Sequence, residues 1–245
     1  MKVIYLDGQF LKVNAQVLDV YAPGVFKGNG VFETMLGLDG VVLDTDLHLK
    51  RLQAGLKELG IKAPKINPSV LKQVLERNQL TSGRVRLMVW QTGKEIHTLI
   101  AALPYKGPAK HPYKVCLIKT KREAQDRHAQ MKSLDYEIFS NAYAKAQSQG
   151  FDEALLLNKD GYIFEASRAN IFWIKDKILC TPPLSSGCLS GITRQQVIKQ
   201  AKSLKIVVKE MNLTPKILKE ADAAFLTNSL IGIKPIDINE IKIAS

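Results

Sequence analysis

The sequence predicts an α+β fold, and three observations carry that expectation. Short apolar runs recur as antiparallel hairpin candidates, a few helices are dispersed among them, and turns rich in Gly, Pro, Asn and Asp separate the segments. This dispersed order disfavours a doubly wound parallel sheet, in which strands and helices alternate regularly. There is no internal repeat and no low-complexity tract.

Strands are expected at Lys2 to Leu6, Val31 to Leu38, Arg84 to Trp90 and Thr98 to Leu103, with helices near Asp46 to Leu59 and Pro68 to Leu80. The first helix is amphipathic, and Asp46 is its expected N-cap. The stretch Gly107-Pro108-Ala109-Lys110-His111-Pro112 reads as a connection, which divides the chain into a domain over 1–107, a linker over 108–113 and a domain over 114–245. The second domain holds an expected strand at Lys114 to Thr120 and a helix from Asp135 to Gln149. Strands follow at Glu153 to Asn158, Tyr162 to Ala166, Asn170 to Lys175 and Lys177 to Thr181, with a tight hairpin at Asp176-Lys177. A helix over Arg194 to Ala201, a strand at Lys205 to Met211, a short helix opened by Thr214-Pro215 and a strand at Ala223 to Thr227 complete the list.

Composition sets bounds on function. With 245 residues, 46% of them hydrophobic, the chain can bury a substantial core in one large domain or two modest ones. No run approaches the roughly 20 apolar residues of a spanning helix, and Asp7 and Gly8 interrupt the apolar start, so neither a membrane span nor a signal peptide is expected and the default location is cytoplasmic. Three cysteines, Cys116, Cys180 and Cys188, form no close pair, which argues against a disulfide framework or a structural zinc site. No metal is expected. Cys188, in the loop before a helix start, is the one expected to be accessible. The net charge of +12 is spread along the chain, and its densest runs lack interleaved aromatics, so solvated faces are expected rather than a nucleic-acid surface. A positive field also favours a small anionic substrate and a phosphorylated ligand.

The chemistry concentrates between Lys132 and Arg194. Glu165 lies in a β-rich run opened by the turn Asn158-Lys159-Asp160-Gly161, among apolar neighbours. A carboxylate on the buried side of such a strand needs a positive partner, and the protonated nitrogen of a pyridine ring is one. On the outer side it would be an ordinary solvated residue. Downstream, Ser190-Gly191-Ile192-Thr193 opens a helix whose first amides suit a phosphate.

Five motifs in this order carry a resemblance: Lys132-Ser133-Leu134-Asp135-Tyr136, Gly150 to Asn158, Gly161-Tyr162-Ile163-Phe164-Glu165, Ala169-Asn170-Ile171-Phe172-Trp173 and Leu189-Ser190-Gly191-Ile192-Thr193-Arg194. Together with Gly28 to Thr34, His48-Leu49-Lys50-Arg51-Leu52 and Thr227-Asn228-Ser229-Leu230, they resemble the motif series of the fold-type IV pyridoxal-phosphate enzymes, the class IV aminotransferase family. That family includes branched-chain and D-amino-acid aminotransferases and 4-amino-4-deoxychorismate lyases.

The resemblance implies a two-domain fold-type IV architecture with pyridoxal 5′-phosphate between the domains. It implies that Lys132 carries the cofactor as a Schiff base and Glu165 pairs with the pyridine nitrogen. Arg51, the amides of Ile192 and Thr193, and the side chains of Asn228 and Ser229 would meet the phosphate. It also implies a homodimer, in which Gly24 to Thr34 is the candidate segment reaching the neighbouring subunit.

The short chain, Phe172-Trp173 and Thr227-Asn228-Ser229-Leu230 are closest to the lyase pattern, so the expected reaction is release of pyruvate from 4-amino-4-deoxychorismate to leave 4-aminobenzoate for folate synthesis. The alternative is an aminotransferase acting on branched-chain or D-amino acids. Many relatives carry Arg-Gly after the strand that here is Arg84 to Trp90, whereas this chain has Gln91-Thr92-Gly93-Lys94. Arg168 or Lys94 would then grip the substrate carboxylate.

Overall fold

A computed structural model describes residues 2–13, 29–123 and 130–244. The chain forms two units, Met1–Gly107 with Lys132–Tyr136, and Pro108–Met131 with Glu137–Ser245. Both mix helices with sheets, as an α+β fold requires: the sheet of the first unit is antiparallel throughout, whereas the second unit mixes parallel and antiparallel pairs.

The first unit is built on six strands: β1 (Lys2–Leu6), β2 (Gln9–Val13), β3 (Gly30–Leu38), β4 (Val41–Val42), β5 (Ser82–Thr92) and β6 (Glu95–Pro104). They form one antiparallel sheet in the order β2-β1-β6-β5-β3-β4. Side chains alternate across it. Val31, Met35, Val85, Leu87, Val89 and Ile100 join the core with Leu52 and Leu56 of α1 (Thr45–Glu58) and Leu71, Val74 and Leu75 of α2 (Ser69–Arg77). Phe32, Met88, Leu99 and Ala101 form a second cluster with Ile4 and Leu134.

Leu134 comes from Lys132–Tyr136, which the sequence reading placed in the C-terminal domain and which belongs instead to the first unit. The reason is an unfilled sheet edge. β4 pairs only with the end of β3, and the segment pairs with its beginning: Phe32 N–H donates to Lys132 O at 2.8 Å and Leu134 N–H to Gly30 O at 3.0 Å. Gly30 permits this approach, because a Cβ there would lie 2.7 Å from Leu134 Cδ1 and 2.5 Å from Val89 O.

The second unit contains a four-stranded sheet in the order β15-β7-β8-β9, formed by β7 (Val115–Lys119), β8 (Glu153–Leu157), β9 (Ile163–Ala166) and β15 (Lys242–Ile243). A five-stranded sheet runs β12-β11-β10-β13-β14, from β10 (Asn170–Lys175), β11 (Ile178–Thr181), β12 (Val208–Glu210), β13 (Ala223–Asn228) and β14 (Gly232–Pro235). The helices are α3 (Glu137–Ser148), α4 (Ile192–Ser203) and α5 (Pro215–Lys219). Leu155, Ile163, Ile171, Trp173, Leu213 and Leu226 are the centre of the main core.

Local chemistry explains the turns. The Asn158 side-chain oxygen accepts from the amides of Asp160 at 3.1 Å and Tyr162 at 3.0 Å, which folds the chain into β9. Asp176 and Lys177 both take positive φ, 49° and 63°, in the hairpin between β10 and β11. Thr214 caps α5 by accepting from Ile217 N–H at 3.1 Å, with Pro215 at the first helical position.

Several boundaries differ from expectation. Asp46 is not the N-cap of α1, because Asp44 occupies that position in a left-handed conformation and Asp46 falls inside the first turn. β2, β4, β14 and β15 were not foreseen, and the strand expected over Lys205 to Met211 is only the three residues of β12. Asp7 and Gly8 lie in the β1–β2 hairpin turn, both at positive φ.

Candidate active site

In the first unit, the amine of Lys132 stands over two aromatic rings, with Nζ 4.6 Å from the centroid of Phe32 and 5.2 Å from that of Tyr136. The two rings meet edge to face at 5.2 Å. Arg86, which sequence reasoning did not single out, places its guanidinium carbon 4.0 Å from the same Phe32 centroid. The two cationic groups are therefore within about 9 Å of one another. The signal was available, since Arg86 is a charge at an alternate position of an apolar strand.

On the helix-facing side of the same sheet, Glu33 is buried in β3 and meets two residues of α1. Arg51 donates Nε–H to Oε1 at 2.8 Å and NH2 to Oε2 at 2.5 Å, while His48 Nδ1 lies 2.6 Å from Oε2. His48 and Arg51 are three residues apart and so share one helix face. Burial alone would raise the Glu33 pKa, but the charge of Arg51 and the hydrogen bonds from Arg51 and His48 outweigh it and hold the carboxyl below its ordinary range.

In the second unit, β9 is buried along its whole length, and Glu165 with it. Its Oε2 accepts from Leu189 N–H at 3.1 Å. Two residues further on, Gly191 precedes α4, whose first amides, those of Ile192 and Thr193, have no carbonyl within the helix to bond. The Asn170 side chain fills the space beside Gly191 and donates to Leu189 O at 2.8 Å.

Across the β10–β13 pairing, Asn170 stands opposite Thr227, whose hydroxyl is buried with no hydrogen-bond partner. A buried unpartnered hydroxyl, a helix start and a nearby buried carboxylate together fit a phosphorylated pyridine cofactor. Asn228 is occupied differently: its amide donates to Arg168 O at 2.9 Å and accepts from the amides of Leu230 and Ile231. Ser229 follows it, half-buried.

The structure thus groups Arg51 and Lys132 in the first unit and Glu165, Ile192, Thr193, Asn228 and Ser229 in the second. Thr227 is the first residue of the motif Thr227-Asn228-Ser229-Leu230, but the sequence assigns its hydroxyl no role, because burial of that group depends on the packing around β13. Cys188 is buried rather than accessible. Burial first, and then the Glu165 charge, push its thiol up to about 12. Arg168 stacks 3.2 Å from the Tyr143 ring centroid and faces buried Glu153 at 3.5 Å, and Lys94 lies at the exposed β5–β6 turn. Among the described residues no group of three His, Cys, Asp or Glu side chains could hold a metal, and no helix is long and apolar enough to cross a membrane.

Residues 30–238 match the family described as amino-transferase class IV, and the chain belongs to that family. It is a pyridoxal-phosphate-dependent enzyme. It is similar to the aminodeoxychorismate lyase of Bacillus subtilis, with 31% identity over 99% of this chain and 89% of that protein. It is also similar to the branched-chain-amino-acid aminotransferase of Pseudomonas aeruginosa, with 28% identity over 96% of this chain and 83% of that one. Among solved structures, the branched-chain aminotransferase of Thermoproteus uzoniensis superposes with a TM-score of 0.84 at 26% identity, covering 98% of this chain and 87% of that one.

Proposed function

We propose that the protein releases pyruvate from 4-amino-4-deoxychorismate, leaving 4-aminobenzoate. The observation that carries this reading is the setting of Lys132, an amine lying on aromatic rings with a second cation, Arg86, on the same ring. A flat cyclic substrate bearing carboxylates suits such a surface. The similarity to the Bacillus lyase over nearly the whole chain supports it.

Lys132 holds the cofactor through its amine, and Glu165 pairs with the protonated ring nitrogen. Arg51, the amides of Ile192 and Thr193, and the hydroxyl of Thr227 hold the phosphate, with Asn228 and Ser229 shaping the turn beside it. When bound, pyridoxal phosphate supplies an electron sink. Lys132 Nζ would serve as the base that takes the proton from the carbon bearing the substrate amine. Arg86 replaces Arg168 and Lys94 as the group for a substrate carboxylate, since Arg168 is engaged with Glu153 and Tyr143. The enzyme in this reading is a cytoplasmic homodimer, which light scattering of the active species would check. The segment proposed to reach the partner, 24–34, lies over 24–28 outside the described residues.

The second reading, an aminotransferase, is favoured by the Thermoproteus fold match and the Pseudomonas relative. Pyruvate release separates the two. With 4-amino-4-deoxychorismate and no keto acid, the lyase reading expects pyruvate and 4-aminobenzoate in equal amounts over many turnovers. Turnover that requires a keto-acid acceptor would contradict it.

A further inference from the structure

We propose that Asn170 is a positioning residue that fixes the spacing between Glu165 and the start of α4, and thereby sets how strongly the protein prefers a phosphorylated cofactor. The proposal rests on the assignment above of Glu165 to the cofactor ring and of α4 to its phosphate.

The geometry centres on one residue, Leu189. Leu189 N–H donates to Glu165 Oε2 at 3.1 Å, and Leu189 O accepts from Asn170 Nδ2 at 2.8 Å and from Gly191 N–H at 2.8 Å. The residue that meets the cofactor ring and the backbone that opens the phosphate helix are therefore tied through the two sides of Leu189. Asn170 is only 5% exposed, so its amide is committed to this link rather than to solvent.

Gly191 is part of the same device. A Cβ there would stand 2.0 Å from Asn170 Oδ1 and 3.2 Å from its Cγ, so glycine lets the asparagine lie flat against the turn. The backbone of Asn170 is also paired with Thr227, which brings the buried Thr227 hydroxyl to the same point of the sheet. An alanine at 170 leaves that strand pairing in place and removes only the side-chain link. α4 can then shift against Glu165, and a ligand held at both ends loses the fit at one.

The test titrates the full chain, freed of cofactor, with pyridoxal 5′-phosphate and separately with pyridoxal. The ratio of the two affinities reads the phosphate end alone. The wild type is expected to prefer the phosphorylated form strongly, and Asn170→Ala to lose about tenfold or more of that preference. The unfolding temperature of the cofactor-free chain should change little. Gly191→Ala should lose as much, and adding it to Asn170→Ala should change little further, because the clash it creates is with the side chain already removed. If Asn170→Ala does not fold, Asn170→Ser, which is too short to reach Leu189 O, is read in the same way. Equal weakening of both ligands, or an unchanged preference, overturns the positioning role while leaving the cofactor assignment intact. A wild type that does not distinguish the two ligands overturns both.

Discussion

Glu33 in the first unit and Glu153 in the second are both buried carboxylates facing an arginine, yet their surroundings push them in opposite directions. Burial raises each. At Glu33, Arg51 engages both oxygens at 2.8 and 2.5 Å and His48 adds a third contact, so the charged form wins. At Glu153, Arg168 is 3.5 Å away and itself 42% exposed, and the bonds from Ser167 and the Ala154 amide do not make up the difference, so the carboxyl is held above its usual range. The presence of an arginine decides little. Each carboxylate meets three donors, and the charge and closeness of those donors, and whether they are shielded from water, decide the sign. The first unit thereby fixes the Arg51 guanidinium on a charged carboxylate, whereas in the second the more exposed Arg168 meets Glu153 at longer range.

Variants at these carboxylates sharpen the contrast, and the positions proposed to meet the cofactor set its outer scale. Lys132→Ala should abolish turnover in the pyruvate assay while the chain keeps its circular dichroism spectrum, because the amine lies at a sheet edge and not in the core. Glu165→Gln should retain cofactor but slow turnover by about a hundred- to a thousandfold, as loss of a prearranged charge at a reacting centre does. Near-normal rates there would return Glu165 to a structural role.

The stability effects are smaller and differ between the two pairs. Glu33→Gln leaves Arg51 without its carboxylate and should destabilise the cofactor-free chain by roughly 3 kcal/mol, read by urea denaturation. Glu153→Gln should cost less than about 1 kcal/mol, since an amide replaces a carboxyl already biased toward its neutral form.

The pH dependence carries the sign. Glu33 has a folded pKa below the ordinary 4.5, so its contribution is complete above that pH and is lost as pH falls through the lower folded value. Glu153 has a folded pKa above 4.5, so its contribution is complete below 4.5 and is lost as pH rises through the higher folded value. Melting curves should show Glu33→Gln flattening the acid limb and Glu153→Gln flattening the decline above 4.5. The reverse assignment would break the comparison.

Much of the fold was legible because its elements announce themselves locally. The Asn158 turn, the Asp176-Lys177 hairpin and the Thr214-Pro215 helix start each carry their own chemistry in two to four residues. What could not be read depends on partners far along the chain. The edge strands β14 and β15 have little apolar pattern, and the attachment of Lys132–Tyr136 to β3 follows from an open sheet edge that no local periodicity records. The same holds at the site. Lys132, Glu165 and the helix after Gly191 sit in recognisable motifs, whereas Arg86, and the hydroxyl of Thr227 within its motif, gain meaning only from what lies beside them in space.

The central claim is that Lys132 is the residue that bears the cofactor, and borohydride reduction followed by peptide mapping tests it most directly. Reduction should bleach the absorbance near the visible edge and leave one pyridoxyl-phosphate mass increment, on the peptide containing Lys132. The same increment on any other lysine, or a bleachable chromophore surviving in Lys132→Ala, would contradict the account.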